Sequence, residues 1–148
     1  MTVNDAFVGR TYPPTDTFTV GREHIRDFAA AVGATSPVHH DVEAARAAGY
    51  ADLVAPPTFA VIAAQRCDRQ FVADPEAGID YGRVVHGEER FVHHRPIVAG
   101  DELRGTLTVE AIRSGGGHQM ATTRSDLRDA DDELVTTAYS TIVIRGGE

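Results

Sequence analysis

Residues 58–72 constrain the fold most, because they read as a helix that is apolar around most of its circumference. Phe59, Ile62, Ala63, Cys67 and Phe71 fall on one face at helical spacing, and Ala60, Val61 and Ala64 widen that face over the first two turns. A helix of this kind has no stable place on a surface and must be covered on nearly all sides. At ~1.5 Å per residue it is roughly 23 Å long, about the width of a strongly curved sheet.

The cover is expected from the second half of the chain. Residues 83–94, 102–112, 118–127 and 134–144 read as strands, separated by turn signals at 96–101, 114–117 and 129–132. Three antiparallel hairpin connections follow from this reading. In the second stretch Leu103, Gly105, Leu107, Val109 and Ala111 share one face, while Arg104, Thr106, Thr108 and Glu110 share the other. The first half predicts a short strand over 15–20, ended by Gly21, then a helix carrying Ile25, Phe28, Ala29 and Val32 and stopped at Gly33. Asp41 is placed to cap a second short helix over 42–48, closed by Gly49. The expected class is α+β, a curved antiparallel sheet wrapped around one buried central helix.

A length of 148 residues suits one domain spanning 1–148, and 42% hydrophobic with 24% charged residues is the balance of a folding globular chain. The longest apolar run, 59–64, is far short of the roughly 18–20 residues that a membrane-spanning helix needs, and the N-terminus lacks a secretory pattern. A cytoplasmic location without membrane contact is the expectation. The formal charge is −8, which repels nucleic-acid phosphates. All 14 cations are Arg, so Schiff-base, pyridoxal-phosphate and P-loop lysine chemistries are excluded. The single Cys67 permits neither an internal disulfide nor a multi-thiolate zinc site, and its place on the apolar helix face marks it as a core residue.

Three separated motifs resemble one family. They are Phe7-Val8-Gly9-Arg10-Thr11-Tyr12-Pro13-Pro14, Ala55-Pro56-Pro57-Thr58-Phe59 and Tyr81-Gly82-Arg83-Val84-Val85-His86-Gly87-Glu88, and their order is that of the MaoC-like branch of the hot-dog fold. The resemblance runs nearly end to end, and is strongest to the stand-alone N-terminal-type subunits of heterodimeric (3R)-hydroxyacyl-thioester dehydratases. It implies a hot-dog fold and acyl-thioester chemistry without cofactor or metal. In catalytic members an Asp and a His flank a water, in a signature Gly-Asp-x-Asn-Pro-(Leu/Val)-His, and act as general base and acid. Here the segment is Gly33-Ala34-Thr35-Ser36-Pro37-Val38-His39. His39 fills the histidine position, Ala34 replaces the catalytic Asp and Ser36 replaces the Asn. Active members also start the buried helix with His-Gly, whose Gly N–H polarises the thioester carbonyl. Pro56 and Pro57 stand there, and proline has no N–H.

These departures imply an accessory, non-catalytic subunit that shapes the acyl tunnel for a catalytic MaoC-like partner. Two alternatives stay open: an active homodimeric (R)-specific enoyl-CoA hydratase using His39, and a non-enzymatic acyl-thioester-binding protein. The expected ligand is an acyl-ACP or acyl-CoA thioester, and the expected assembly is with a catalytic hot-dog subunit or a second copy. His39 is the candidate catalytic residue, and Ser36, Pro57, Thr58, Phe59 and Arg95 are candidates for substrate binding. Asp41 is read as a helix cap in preference to a substitute for the missing Asp. The His39-His40 and His93-His94 pairs are read as structural, since neighbours on an extended chain point to opposite faces. The Glu-rich 86–90 segment is read as an edge or interface strand, and Gly115–Gly117 as a hairpin.

Overall fold

The computed structural model describes residues 2–147. In chain order the elements are β1 (Phe18–Thr19), α1 (Arg22–Ala31), α2 (Val42–Ala47), α3 (Val61–Val72), β2 (Val84–His93), β3 (Glu102–Gly115), β4 (His118–Arg128) and β5 (Leu134–Ile144). The strands form one antiparallel five-stranded sheet in the order β1-β3-β4-β5-β2, and α3 lies in its hollow. This is the hot-dog fold.

The helix expected over 58–72 is present, with one change at its start. Proline at 56 and 57 fixes φ but supplies no N–H, so the chain enters through a 3-10 turn, Pro57–Ala60, before the α-helical turns begin. Ala63, Ala64, Cys67 and Phe71 of α3 are buried, and Phe71 is fully enclosed beside Phe7 and Tyr12. Burial of such a side chain contributes about 1.5–3 kcal/mol. Asp41 caps α2 as its sequence position predicts, accepting from the Glu43 N–H at 2.9 Å. Gly33 follows α1 with φ +71°, a left-handed conformation that ends the helix.

The connections differ from expectation. β3–β4 and β4–β5 are hairpins, but β2 pairs with β5 and not with β3, so residues 96–101 belong to a crossover and two hairpins replace the expected three. A turn signal reports that the chain changes direction; it does not report which edge the next strand joins. The β3–β4 turn has Gly116 and Gly117 at φ +60° and +80°, the doubly left-handed geometry of a tight hairpin. The strand expected over 15–20 shrinks to two residues, because Thr15 N–H donates to the Gly105 carbonyl outside any regular ladder. Ala111 also leaves the expected face. A bulge between Val109 and Ala111 shifts the register, so Ile112 packs against the core in its place.

Gly105 lies under Cys67. A Cβ there would overlap Cys67 Sγ and come within 3.0 Å of a Leu127 methyl, so the sheet approaches α3 this closely only with glycine at 105. Cys67 is 0% exposed and its thiol is pushed up to about 11 by burial. Gly105→Ala is therefore expected to destabilise the fold by about 1–3 kcal/mol, measured as a lowered midpoint in urea.

Candidate active site

A short ladder brings distant segments together at the start of α3. Val54 bridges Val98, Ala55 N–H donates to Ile97 O at 2.8 Å and Ala99 N–H donates to Leu53 O at 2.9 Å. Val54 N–H also donates to Val38 O at 2.9 Å, which sets the His39 turn against the Pro56-Pro57 entry to the helix. The result is a cleft of about 540 Å³ whose walls include His39, Tyr50, Pro57, His93 and Arg95.

His39 closes a 3-10 turn, Pro37–His39. Its Nδ1 is 2.6 Å from the Val54 carbonyl, which can only accept, so Nδ1 carries the proton and Nε2 of the neutral ring is left as an acceptor. His93 is held the other way round. Its Nε2 donates to Pro57 O at 2.9 Å while Nδ1 accepts from the Thr136 hydroxyl at 3.0 Å. No Asp or Glu is among the described residues that line the cleft. Ala34 has no side-chain acid to offer, and its carbonyl accepts from His40 Nε2 at 2.8 Å. Asp41 is occupied as the α2 cap. At the head of α3, Pro56 and Pro57 have no N–H and Phe59 donates its own to Pro56 O at 2.9 Å.

Of the candidate residues, the structure gathers His39, Pro57 and Arg95 around the cleft and places the others elsewhere. Ser36 is exposed at the start of its turn, and Thr58 is exposed beyond the lining. Phe59 is a core residue, 1% exposed and in edge contact with His24 and Phe28. Among the described residues no group of three or more His, Cys, Asp or Glu is arranged to hold a metal, and no helix is long and apolar enough to cross a membrane.

Comparison with known proteins decides the family. Residues 6–138 match the model of the FAS1-like, dehydratase domain region. The chain belongs to this family of MaoC-like hot-dog dehydratases. It is 56% identical over 146 residues to a UPF0336 protein of Leifsonia xyli subsp. xyli, covering 99% of this chain and 98% of that one. Among solved structures it is similar to a chain of the C-terminally truncated HadBC (3R-hydroxyacyl-ACP dehydratase) complex of Mycobacterium tuberculosis. The TM-score is 0.82 at 37% identity, covering 93% of this chain and 96% of that chain. A second structure, a MaoC-like dehydratase, gives a TM-score of 0.88 at 36% identity, covering 97% of this chain and 43% of that longer chain.

This MaoC-like chain carries a second polar site that the sequence reading did not single out. Asp68 of α3 accepts from the Thr123 hydroxyl at 2.6 Å, and His86 Nε2 lies 2.8 Å from Glu89 Oε2 and 3.1 Å from Ser140 Oγ. A bulge at Gly87 between His86 and Glu88 turns both His86 and Glu89 inward, opposite Ile142 and Ser140 of β5. Burial raises the pKa of Asp68, and burial followed by the charge of Asp68 raises that of Glu89. The available signal was spacing. Asp68 lies four residues after Ala64 and four before Val72, on the stripe that faces the sheet. Glu89, read with its neighbours as an edge-strand charge, does lie on an edge strand but points into the fold, with 15% of its side chain exposed.

Arg95 is engaged within the protein. Its guanidinium donates to Asp101 at 2.9 and 3.1 Å and to Asp129 at 3.0 Å, tying the crossover to the β4–β5 turn, and this pairing lowers the pKa of Asp129. Arg95→Ala is expected to lower stability by about 1–2 kcal/mol, discounted for its partial exposure, and less at high salt. A fall in coenzyme A affinity with unchanged stability would instead assign Arg95 to phosphate binding; thermal melting and calorimetric titration separate the two.

Proposed function

We propose that this chain acts as the accessory, non-catalytic subunit of an (R)-3-hydroxyacyl-thioester dehydratase, completing the acyl tunnel of a catalytic MaoC-like partner. It does so as a single cytoplasmic domain in fatty-acid or related acyl-chain synthesis. The observation that carries this reading is a His39 cleft with no Asp or Glu among the described residues that line it. Dehydration removes a proton from the α-carbon and delivers one to the departing hydroxyl, so the site needs a base and an acid together. His39 Nε2 supplies one acceptor, with Ala34 at the position of the missing Asp. The two prolines at the head of α3 remove the backbone donors that would polarise the carbonyl, a loss of the order of 10²–10³ in rate for one donor in other enzymes.

The open edge supports a heteromeric assembly. The N-terminal segment covers the free side of β3 through Gly9, Arg10, Tyr12 and Thr15, whereas β2 pairs on one side with β5 and exposes Val85 and Val92. The similar HadBC structure is itself a complex of dehydratase subunits. One observation favours the active-hydratase alternative: the Val54 bond already holds His39 in the tautomer a general base requires.

Hydration of a trans-2-enoyl-CoA or the corresponding ACP thioester tests the proposal. The chain alone is expected to show no turnover, and co-expression with a MaoC-like subunit that retains both Asp and His is expected to give an active complex. Within that complex, loss of the partner's Asp should cost about 10²–10⁴ in rate. Turnover by the chain alone, abolished by His39→Ala, establishes the hydratase reading instead. Acyl-thioester binding with neither turnover nor activation of a partner establishes the binding-protein reading.

A further inference from the structure

A recess of about 670 Å³ lies at the Val84 end of β2, between the 3-10 turn Tyr81–Arg83, the β3–β4 hairpin and the end of β5. Asp80, Arg83, Ser114, His118, Gln119 and Arg145 line it, and a neighbouring hollow of about 500 Å³ shares Arg83, His118 and Arg145. The His39 cleft adjoins the opposite end of this strand, at His93. Ten residues at ~3.3 Å each put roughly 30 Å of strand between the two places.

The backbone gathers the polar side chains of the recess. Arg145 N–H donates to the Arg83 carbonyl at 2.9 Å, which brings the two arginines together. Beyond Arg145 the chain passes between the hairpin and Arg83 as Gly146-Gly147. A Cβ on Gly146 would overlap the Gly117 carbonyl, so this close passage requires glycine there, and the Arg83 guanidinium rests against Gly147.

Internal hydrogen bonds then decide what the recess can recognise. Gly146 N–H donates to His118 Nδ1 at 3.0 Å, so the ring carries its proton on Nε2. Val3 N–H donates to Gln119 Oε1 at 2.9 Å, which leaves the Gln119 amide with its N–H donors. Asp80 is the single acid among the described residues that line the recess. One of its oxygens accepts from Gly82 N–H at 3.1 Å, and the other pairs with Arg83 Nε at 3.3 Å. The acceptors are therefore engaged inside the protein, while two guanidiniums, an imidazole N–H, an amide and the Ser114 hydroxyl remain as donors.

Two guanidiniums against one carboxylate leave a local excess of positive charge in a chain whose formal charge is −8. The ligand that suits such walls is an anion built of acceptor oxygens, and guanidiniums pair with phosphate through parallel hydrogen bonds. The space is larger than a phosphate group needs and falls in the range of about 300–1,000 Å³ typical of pockets for small organic ligands.

We propose that this recess binds an organic phosphate monoester, with the phosphate held by Arg83, Arg145 and the His118 N–H. The site is separate from the His39 cleft and does not depend on the accessory-subunit reading.

Calorimetric titration of the full chain with inorganic phosphate, phosphopantetheine and adenosine monophosphate tests the proposal, with pantetheine and adenosine as uncharged counterparts. At least one ester is expected to bind with a Kd of about 1 mM or tighter, more tightly than inorganic phosphate, while its counterpart does not bind. The ester that binds distinguishes a phosphopantetheine arm from a nucleotide as the source of the phosphate. Arg145→Gln is expected to weaken binding at least about fivefold, the loss of one charge-assisted contact, with an unchanged melting temperature. Arg83→Gln is expected to weaken it as much and serves as the second variant. His39→Ala is expected to leave the affinity as it is. Equal affinity for inorganic phosphate and the esters overturns the monoester assignment. Absence of saturable binding, binding of the uncharged counterparts as tight as that of the esters, or unchanged affinity in both arginine variants overturns the site.

Discussion

The contact between Gly105 and Cys67 sets how deeply α3 sits in the sheet. Because residue 105 has no side chain, the thiol occupies the space where a Cβ would stand, and the helix rests directly on β3 and β4. The aromatic packing of Phe7, Tyr12 and Phe71 holds its C-terminal half, while Phe18, Phe28 and Phe59 hold its entry. With the helix at that depth, the prolines at its head meet the His39 turn, and Asp68 in its middle meets the hydroxyls of β4 and β5. Both sites are consequences of one close approach.

The two sites solve the problem of polar groups beside an apolar core differently. At the head of α3 the imidazoles of His39 and His93 are tied to backbone carbonyls, which settles the tautomer of each neutral ring. No Asp or Glu is among the described residues that line this cleft, and Pro56 and Pro57 beside it carry no N–H. Farther along the helix, Asp68 accepts from Thr123, while His86 and Glu89 of the edge strand meet each other and Glu89 Oε1 is buried without a hydrogen bond. The family's hot-dog scaffold is kept in this chain.

Several features were legible in the residues alone because they depend on local spacing. The apolar circumference of residues 58–72 demanded burial, the alternation from Leu103 to Val109 demanded a strand with one inner face, and the Asp41 cap and Gly33 stop follow from local hydrogen bonding and dihedral freedom. Other features depended on a single extra residue. The bulge after Val109 exchanged Ala111 for Ile112 on the inner face, and the bulge at Gly87 turned Glu89 inward; period-two reasoning carries through such points without registering them. Phe59 follows closely on Pro57 in sequence, and Arg95 is a cation at a strand end before Pro96, suited on residue type to a phosphate arm. Arg95 is drawn into ion pairs with Asp101 and Asp129, and Phe59 is drawn into the core by its own apolar area.

By itself, the sequence determined that a buried helix would be wrapped by an antiparallel sheet, that Ala34 would offer no acid near His39, and that Pro56 and Pro57 would supply no N–H before the helix. All three follow from residue identity and short-range periodicity. Only the tertiary structure decided that β2 joins β5 in place of β3, that Arg95 is neutralised within the fold, and that Asp68 shares a cleft with His86, which in turn meets Glu89. Those outcomes depend on long-range pairing and on desolvation, which are set by where the chain returns and leave no periodic mark in the residues that take part.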